Sequence, residues 1–456
     1  MALWTWTELS KLGEASPEIG PDISGVSIDS RQTQDGDLFV ALSGDPGPRF
    51  FSSADNPRDG HEFIDTAVAA GANAVMLSRP TSDPTYPSIG VSDTLDGLWA
   101  LGGLARQRCA GRIVAITGSA GKTTARSWLM QCLVGQFDIH GSLGSLNNHW
   151  GVPLSLSRMP SESDVGIFEI GTNHSGEISP LSRLVQPHIS ILLNVLPAHI
   201  GNFESFESLE QEKRSIADGL VESGCLILPE SLATGHEREF TFGIGRSADV
   251  CAQYEVSDAG WDIRANVSGE LINYRLTSGG EHRLQTSLAV LATAKQLGAD
   301  LSRVALKMSF LESPQGRGDE TVIDGVTVID DSYNANPVSV QYALDALQIR
   351  PGRRIALLGE IMELGDMSPH YHRELANCFS EFDRVITVGT GFAATPGDEH
   401  YSSSSEIDMS LLVAGFQTGD TILVKGSNKV FWLNGFVKAL RQELAAKKSP
   451  ATKSGK

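Results

Sequence analysis

The sequence predicts an α/β protein built from three units. Three observations carry this. The chain has 456 residues, too many for one ordinary core. Short apolar runs with strand character alternate with helical patterns in two separate stretches. A Gly/Pro break, Ser313-Pro-Gln-Gly-Arg-Gly318, divides those stretches.

The first unit is assigned to residues 1–110. It holds strand candidates at 37–42 and 72–77, and a helical pattern at 63–70. The segment 44–60, dense in Gly, Pro, Asp and Ser, reads as an exposed loop. A helical stretch over 94–109 leads into the second unit, 111–313, whose strand candidates are 112–117, 165–170, 189–195 and 225–228. Such apolar strands separated by helices indicate a mainly parallel sheet covered on both faces. The region 230–275 shows only weak patterning and is left unassigned. The third unit, 314–446, repeats the alternation with strands at 326–329, 354–358, 384–388 and 421–424, and is read as Rossmann-like. Residues 447–456, rich in Lys, Ser and Ala, read as a flexible tail.

Composition narrows the function. With 36 basic and 55 acidic residues the net charge is 36 − 55 = −19. Such a surface repels phosphate backbones and anionic lipid, so nucleic acid is not an expected partner. A nucleotide remains acceptable if positive charge is concentrated in a site. The five cysteines are scattered and form no CxxC pair, which suits reduced thiols in the cytoplasm. The first residues lack a basic stretch followed by a long apolar run, and no run reaches 18 apolar residues. Neither a signal peptide nor a membrane span is therefore expected.

The chemistry-bearing motif is Thr117-Gly118-Ser119-Ala120-Gly121-Lys122-Thr123-Thr124, set between the strand 112–117 and a helix. Strand, glycine turn and Lys-Thr opening a helix make a phosphate cradle. Glycines let backbone N–H groups approach the anion. Lys122 is expected to reach the β- and γ-phosphates, and the Thr123 hydroxyl to bind Mg²⁺. The longer GxxxxGK[ST] pattern fails at Ile116, so only the shorter form from Gly118 is present. Asn428-Lys429 resembles the start of a guanine-reading motif, but Val430-Phe431 follow and no Asp completes it.

Further motifs accompany the loop. They are Leu146-Asn147-Asn148-His149-Trp150-Gly151, Glu169-Ile170-Gly171-Thr172-Asn173-His174, Asn194-Val195-Leu196-Pro197-Ala198-His199, and Ser208-Leu209-Glu210-Gln211-Glu212-Lys213. Past the break come Asp330-Asp331-Ser332-Tyr333-Asn334-Ala335-Asn336-Pro337, Gly359-Glu360-Ile361-Met362-Glu363-Leu364-Gly365 and Val424-Lys425-Gly426-Ser427. In this order they resemble the Mur ligases of peptidoglycan synthesis and, more distantly, the folylpolyglutamate synthetases. The likeness covers nearly the whole chain apart from about 230–310.

The resemblance implies an ATP-dependent amide ligase with ATP and two Mg²⁺ ions. The first unit becomes a UDP-sugar-binding domain, the second an ATPase domain, the third a closing domain. The motifs point to the branch that joins D-alanyl-D-alanine to UDP-N-acetylmuramoyl-tripeptide, acting as a cytoplasmic monomer. Gly118, Ser119, Ala120, Gly121, Lys122, Thr123 and Thr124 then hold the phosphates. Glu169, ending an apolar strand beside the loop strand, stands where a parallel sheet places a Mg²⁺-binding carboxylate. By the likeness His199 also contacts Mg²⁺, and Lys213 is the lysine carrying an N6-carboxylate that holds the second ion. Arg317 reaches the ATP phosphates, and Asn334 and Asn336 match donors and acceptors of the adenosine portion. Asn336 is equally placed to cap a helix beginning at Pro337. Ser30 and Arg31 are expected at the UDP end and Asn147 and Asn148 along the substrate path, with Asn173 and His174 nearby. Another ligase of these families, or an inactive phosphate-loop paralogue acting as a binding protein, is left open. The departures are Asn428 to Leu433 after Ser427, a segment 44–56 longer than usual, Arg214 where a small residue usually follows the lysine, and Gly359-Glu360-Ile361 where Gly-Asp-Met is usual.

Overall fold

A computed structural model describes residues 2–50, 58–80, 85–142, 144–198, 200–245, 247–257, 260–277 and 280–447. Three sheets appear, each confined to its own stretch of chain. The first has five strands: Glu14–Ser16 runs antiparallel to Ser88–Gly90. Beyond it Ala74–Leu77, Asp37–Val40 and Gly25–Ser27 follow in parallel. Asp37–Val40 and Ala74–Leu77 are buried on both faces, which explains their continuous apolar reading. Residues 51–57 of the expected loop lie outside the described residues.

The second sheet has nine strands. Ile139–Gly141, Val165–Glu169, Arg112–Thr117, Ile189–Leu192, Cys225–Pro229, Glu239–Ile244 and Val250–Ser257 are parallel neighbours. Gly260–Val267 and Glu270–Leu276 then add an antiparallel meander. The unassigned region 230–275 thus holds four strands, the last running to Leu276. Trp261, Ile263, Ala265 and Val267 alternate inward, and Ile272, Tyr274 and Leu276 answer from the next strand. Ser268 (φ 50°) and Gly269 (φ 94°) make the tight turn between them. The helices Lys122–Leu133, Glu281–Leu297 and Leu301–Met308 seal this face around Trp128, Leu129, Leu288 and Leu291.

The third sheet, of six strands, pairs Asp319–Ile323 antiparallel with Val326–Asp331. Thr421–Lys425, Arg354–Gly359, Arg384–Val388 and Glu399–Tyr401 continue it in parallel. The strand expected at 189–195 stops at Leu192, because from Asn194 the chain turns over the phosphate loop. The helix Phe436–Lys447 reaches one residue into the expected tail, and 448–456 lie outside the described residues. Among the described residues no helix is long and apolar enough to cross a membrane.

The first unit is fastened to the second by side chains that bond across the seam. Trp4 Nε1 donates to Ser157 O at 2.8 Å and Trp99 Nε1 to His149 O at 2.9 Å, and Arg108, whose guanidinium covers the Trp4 ring within the first unit, donates from Nη2 to Met159 O at 3.2 Å.

Candidate active site

The phosphate loop leaves the buried strand Arg112–Thr117 at the carboxyl edge of the parallel strands. There a parallel sheet opens its crevice. Gly121 has φ 82°, a conformation that favours glycine, and it starts the helix Lys122–Leu133. The loop is braced from behind. Ala120 N–H donates to Asn194 Oδ1 at 3.0 Å, Ser119 Oγ donates to Leu196 O at 2.8 Å, and Leu196 N–H returns a bond to Ser119 Oγ at 2.9 Å. Lys122 Nζ donates to Gly118 O at 2.7 Å.

Glu169, 1% exposed, ends the neighbouring strand as expected. Its two oxygens accept from Thr123 Oγ1 and Asn147 Nδ2, each at 2.8 Å. A buried carboxylate beside a hydroxyl, bonded here by neutral donors, is a hard-oxygen set that suits Mg²⁺. Among the described residues no three His, Cys, Asp or Glu side chains converge on one point. His199 lies outside the described residues.

Lys213 is 2% exposed on the helix Phe206–Arg214. Burial, with the Lys122 charge adding to it, brings its amine down to about 7, against a smaller pull from Glu212. Among the described residues no carboxylate forms an ion pair with it. Glu212 is engaged elsewhere, its oxygens accepting the N–H groups of Gly176, Glu177 and Ile178 at 2.7–3.0 Å.

A cavity of 620 Å³ spreads from the phosphate loop to the third unit. Lys122, Glu169, Asn147 and Asn173 line one side; Arg317, Asn334, Asn336 and Lys425 line the other. Positive charge is therefore focused here in a chain of net charge −19. Arg317 donates from Nη2 to Ser145 Oγ at 3.2 Å and lies 4.1 Å over the Tyr333 ring. Lys425, 2% exposed, is held by Asp331 Oδ2 at 2.7 Å and Asn334 O at 3.2 Å.

Not every expected residue reaches the cavity. Among the described residues, none before Ser119 lines it. Arg31 is exposed and pairs with Asp29 at 2.7 Å; Ser30 is buried beside it. Asn148 stands just ahead of the helix Gly151–Ser157, its Oδ1 accepting Trp150 and Gly151 N–H at 3.2 and 2.9 Å. Asn336 accepts Ser339 N–H at 2.8 Å in a capping box with Pro337 at the first helical position, so the capping alternative is realised. His174 sits 3.6 Å from Glu177 and lines no part of the cavity.

Sequence reasoning assigned no role to Lys425, Asp331 or Tyr333, nor to His282 and Arg283. Lys425 had a readable signal, an ionisable residue ending an apolar strand, the same one that marks Glu169. His282 stacks on Tyr342 of the third unit at 5.1 Å and 9°. Burial, reinforced by Arg283 and Lys425, pushes its imidazole down to about 3. Arg283 Nη2 donates to Gly318 O at 3.0 Å.

Comparison with known proteins decides the family. The Mur ligase middle domain matches residues 116–294, and the Mur ligase glutamate ligase domain matches 317–428. The UDP-N-acetylmuramoyl-tripeptide–D-alanyl-D-alanine ligase of Escherichia coli is 30% identical over 444 residues, covering 93% of this chain and 95% of that one. The chain belongs to the Mur ligase family. A crystal structure of MurF from Acinetobacter baumannii superposes with TM-score 0.83 at 28% identity, covering 96% of this chain and 99% of that one. MurF ligase from Thermotoga maritima, solved with ADP, has TM-score 0.79 at 24% identity and covers 93% and 98%. That last likeness speaks for the fold. The three-unit α/β architecture is thus the Mur ligase one, and the protein is an ATP-dependent amide-bond-forming ligase.

Proposed function

We propose that this Mur ligase joins D-alanyl-D-alanine to UDP-N-acetylmuramoyl-tripeptide at the expense of ATP, acting as a cytoplasmic monomer in peptidoglycan precursor synthesis. The observation that carries the reading is the 620 Å³ cavity, with the phosphate loop and Glu169 on one side and Arg317 and Lys425 on the other. The tripeptide carboxylate oxygen attacks the γ-phosphorus, and ADP leaves. The amine of the dipeptide then attacks the acyl phosphate carbonyl; phosphate and a proton leave as the amide forms. Lys122 and Arg317 neutralise charge on the migrating phosphoryl group, and the third unit, packed over the loop, excludes water. Asn334 and Asn336, which line the cavity, are assigned to the adenosine portion, and Ser30 and Arg31 to the UDP end.

Thr123 and Glu169 would hold Mg²⁺, with His199 and Lys213 assigned to the same centre. The ions would supply charge neutralisation around the phosphates. Lys213 suits N6-carboxylation because only a neutral amine attacks CO₂, and an amine brought down to about 7 is substantially neutral at physiological pH. The product would place an anion beside Lys122, an opposite charge that favours it.

The test is substrate-dependent phosphate release with UDP-N-acetylmuramoyl-tripeptide and a panel of acceptors. D-alanyl-D-alanine should be the best acceptor, and Lys122→Ala should abolish turnover. A single amino acid serving clearly better would assign another branch of the family. ATP binding without amide formation for any acceptor would mark an inactive paralogue.

A further inference from the structure

His372 sits in the third unit on the helix Ser368–Ala376, away from the substrates, 1% exposed. Its partners dictate its chemical state. Nδ1 lies 2.8 Å from Ser368 O, a carbonyl that only accepts, so Nδ1 carries the proton. Nε2 lies 3.0 Å from the Ile361 N–H, a group that only donates, so Nε2 is the acceptor. The ring packs edge-on against Phe392. Of the charged side chains on the elements around it, Glu360 acts on it; that carboxylate accepts Gly391 N–H at 2.9 Å.

The Ile361 bond fixes a segment that needs fixing. Glu363 (φ 62°) and Gly365 (φ 53°) are both left-handed within three residues, an arrangement that relaxes unless its neighbours hold it. Met362 N–H is held in turn by Ser427 Oγ at 2.8 Å, and Glu360 N–H by Val388 O at 2.8 Å. Ile361 to Leu364 form a wall of the cavity.

The segment then touches the second unit through a close backbone approach and one apolar side chain. A Cβ on Gly201 would lie 2.8 Å from Gly365 N and 3.1 Å from Leu364 C, so the two chains abut with no room for a side chain. Ile200 packs into the third unit's apolar cluster with Ile361 and Leu364. The other end of that stretch, Asn194 and Leu196, carries the bonds that brace Ser119 and Ala120 of the phosphate loop.

We propose that His372 is a positioning residue for the ligation, holding 361–365 in the shape that seats Gly201 and, through the contacts of Ile200, Leu196 and Asn194, aligns the phosphate loop with the third unit. The role rests on the ligase reading above, but its structural half is independent of activity.

The test compares full-length wild type, His372→Phe, His372→Gln and Gly201→Ala with ADP bound, by amide hydrogen exchange and steady-state kinetics. Gln keeps an oxygen acceptor for Ile361 N–H; Phe keeps the bulk and loses the acceptor. In His372→Phe, peptides spanning 359–367 and 194–203 should exchange about tenfold faster or more. Its kcat should fall by about tenfold or more with the KM for ATP within about threefold. His372→Gln should return every value to within about threefold of wild type. Gly201→Ala, which does not disturb the buried histidine, should loosen 194–203 alone and lower kcat. The proposal is overturned by a folded His372→Phe with unchanged exchange at 194–203, or by Gln behaving no better than Phe. Should Phe not fold, wild-type exchange and kcat in Gly201→Ala overturn it equally. A wild type that forms no amide yet shows the exchange pattern would sink the ligase reading and leave the coupling standing.

Discussion

The Arg317 guanidinium lies 4.1 Å over the ring of Tyr333 while its Nη2 donates to Ser145 Oγ across the cavity at 3.2 Å. The stack and the Ser145 bond hold the guanidinium on the cavity lining. Its charge acts on Lys122, lowering that amine further beyond what burial does. Two cations facing one cavity from its two sides fit a polyphosphate.

Arg317→Ala should therefore lower kcat by about two orders of magnitude, as removal of a preorganised phosphate clamp does. Arg317→Lys should recover little, because an ammonium neither stacks as a plane nor bonds as a fork. Phosphate-release kinetics decide this. An alanine variant within threefold of wild type would show the arginine to be a linker residue only.

Glu169 accepts from Thr123 and Asn147, and the three side chains come from separate elements meeting at one strand end. Glu169→Gln should raise the Mg²⁺ concentration for half-maximal activity about tenfold or more, since one anionic oxygen is lost. Thr123→Ala should shift it in the same direction. Calorimetric titration of Mg²⁺ with ADP gives a readout separate from turnover. Unchanged Mg²⁺ dependence in both variants would remove the metal assignment.

Much of this was legible because buried parallel strands announce themselves as continuous apolar runs, and a charged residue ending such a run is conspicuous. Glu169 was found that way, and Lys122 by the glycine loop that follows such a run. The meander 250–276 was missed although Trp261, Ile263, Ala265 and Val267 alternate at the period of a half-buried strand. Charged outward residues between them diluted the apolar signal. Lys213 could not be seen from periodicity, because its neighbours Glu207, Glu210 and Glu212 make its helix look solvated. Only the tertiary packing shows Lys213 buried and Glu212 tied to three backbone N–H groups. His372 carried no motif signal, since its meaning lies in two backbone partners fixed by the fold.

Asn336 separates two roles that sequence left side by side. Its oxygen accepts Ser339 N–H, so Asn336→Ala should cost about 1 kcal/mol of stability by loss of the cap. Asn336→Ser keeps a capping oxygen and should retain that stability. If the side chain also contacts adenosine, the serine variant will show a raised KM for ATP at wild-type stability. A wild-type KM in Asn336→Ser would assign the residue to the helix alone. Chemical denaturation and ATP kinetics on the same two variants provide both readings.

Lys213 gives the prediction with a definite sign in pH. Its amine stands at about 7 in the folded protein against an ordinary 10.5. Below about pH 7 the lysine is protonated folded or unfolded, and the folded state carries the whole cost of the buried cation. Between 7 and 10.5 the unfolded state binds more protons, so stability rises with pH until the cost is gone. Lys213→Met fills similar volume without charge. It should raise Tm by roughly 3 °C or more at pH 6, with the gain shrinking toward pH 10. The N6-carboxylation proposed above predicts a second dependence. Bicarbonate near pH 8 should narrow the gap by stabilising the wild type, and carbon-13-labelled bicarbonate should give a carbamate signal absent from the methionine variant. Turnover should move the other way, falling by about two orders of magnitude in Lys213→Met as the anionic ligand is lost. A variant more stable yet far less active marks a lysine retained for chemistry against its folding cost. A variant destabilised at pH 6, with no carbamate signal from wild type, would make Lys213 a packing residue.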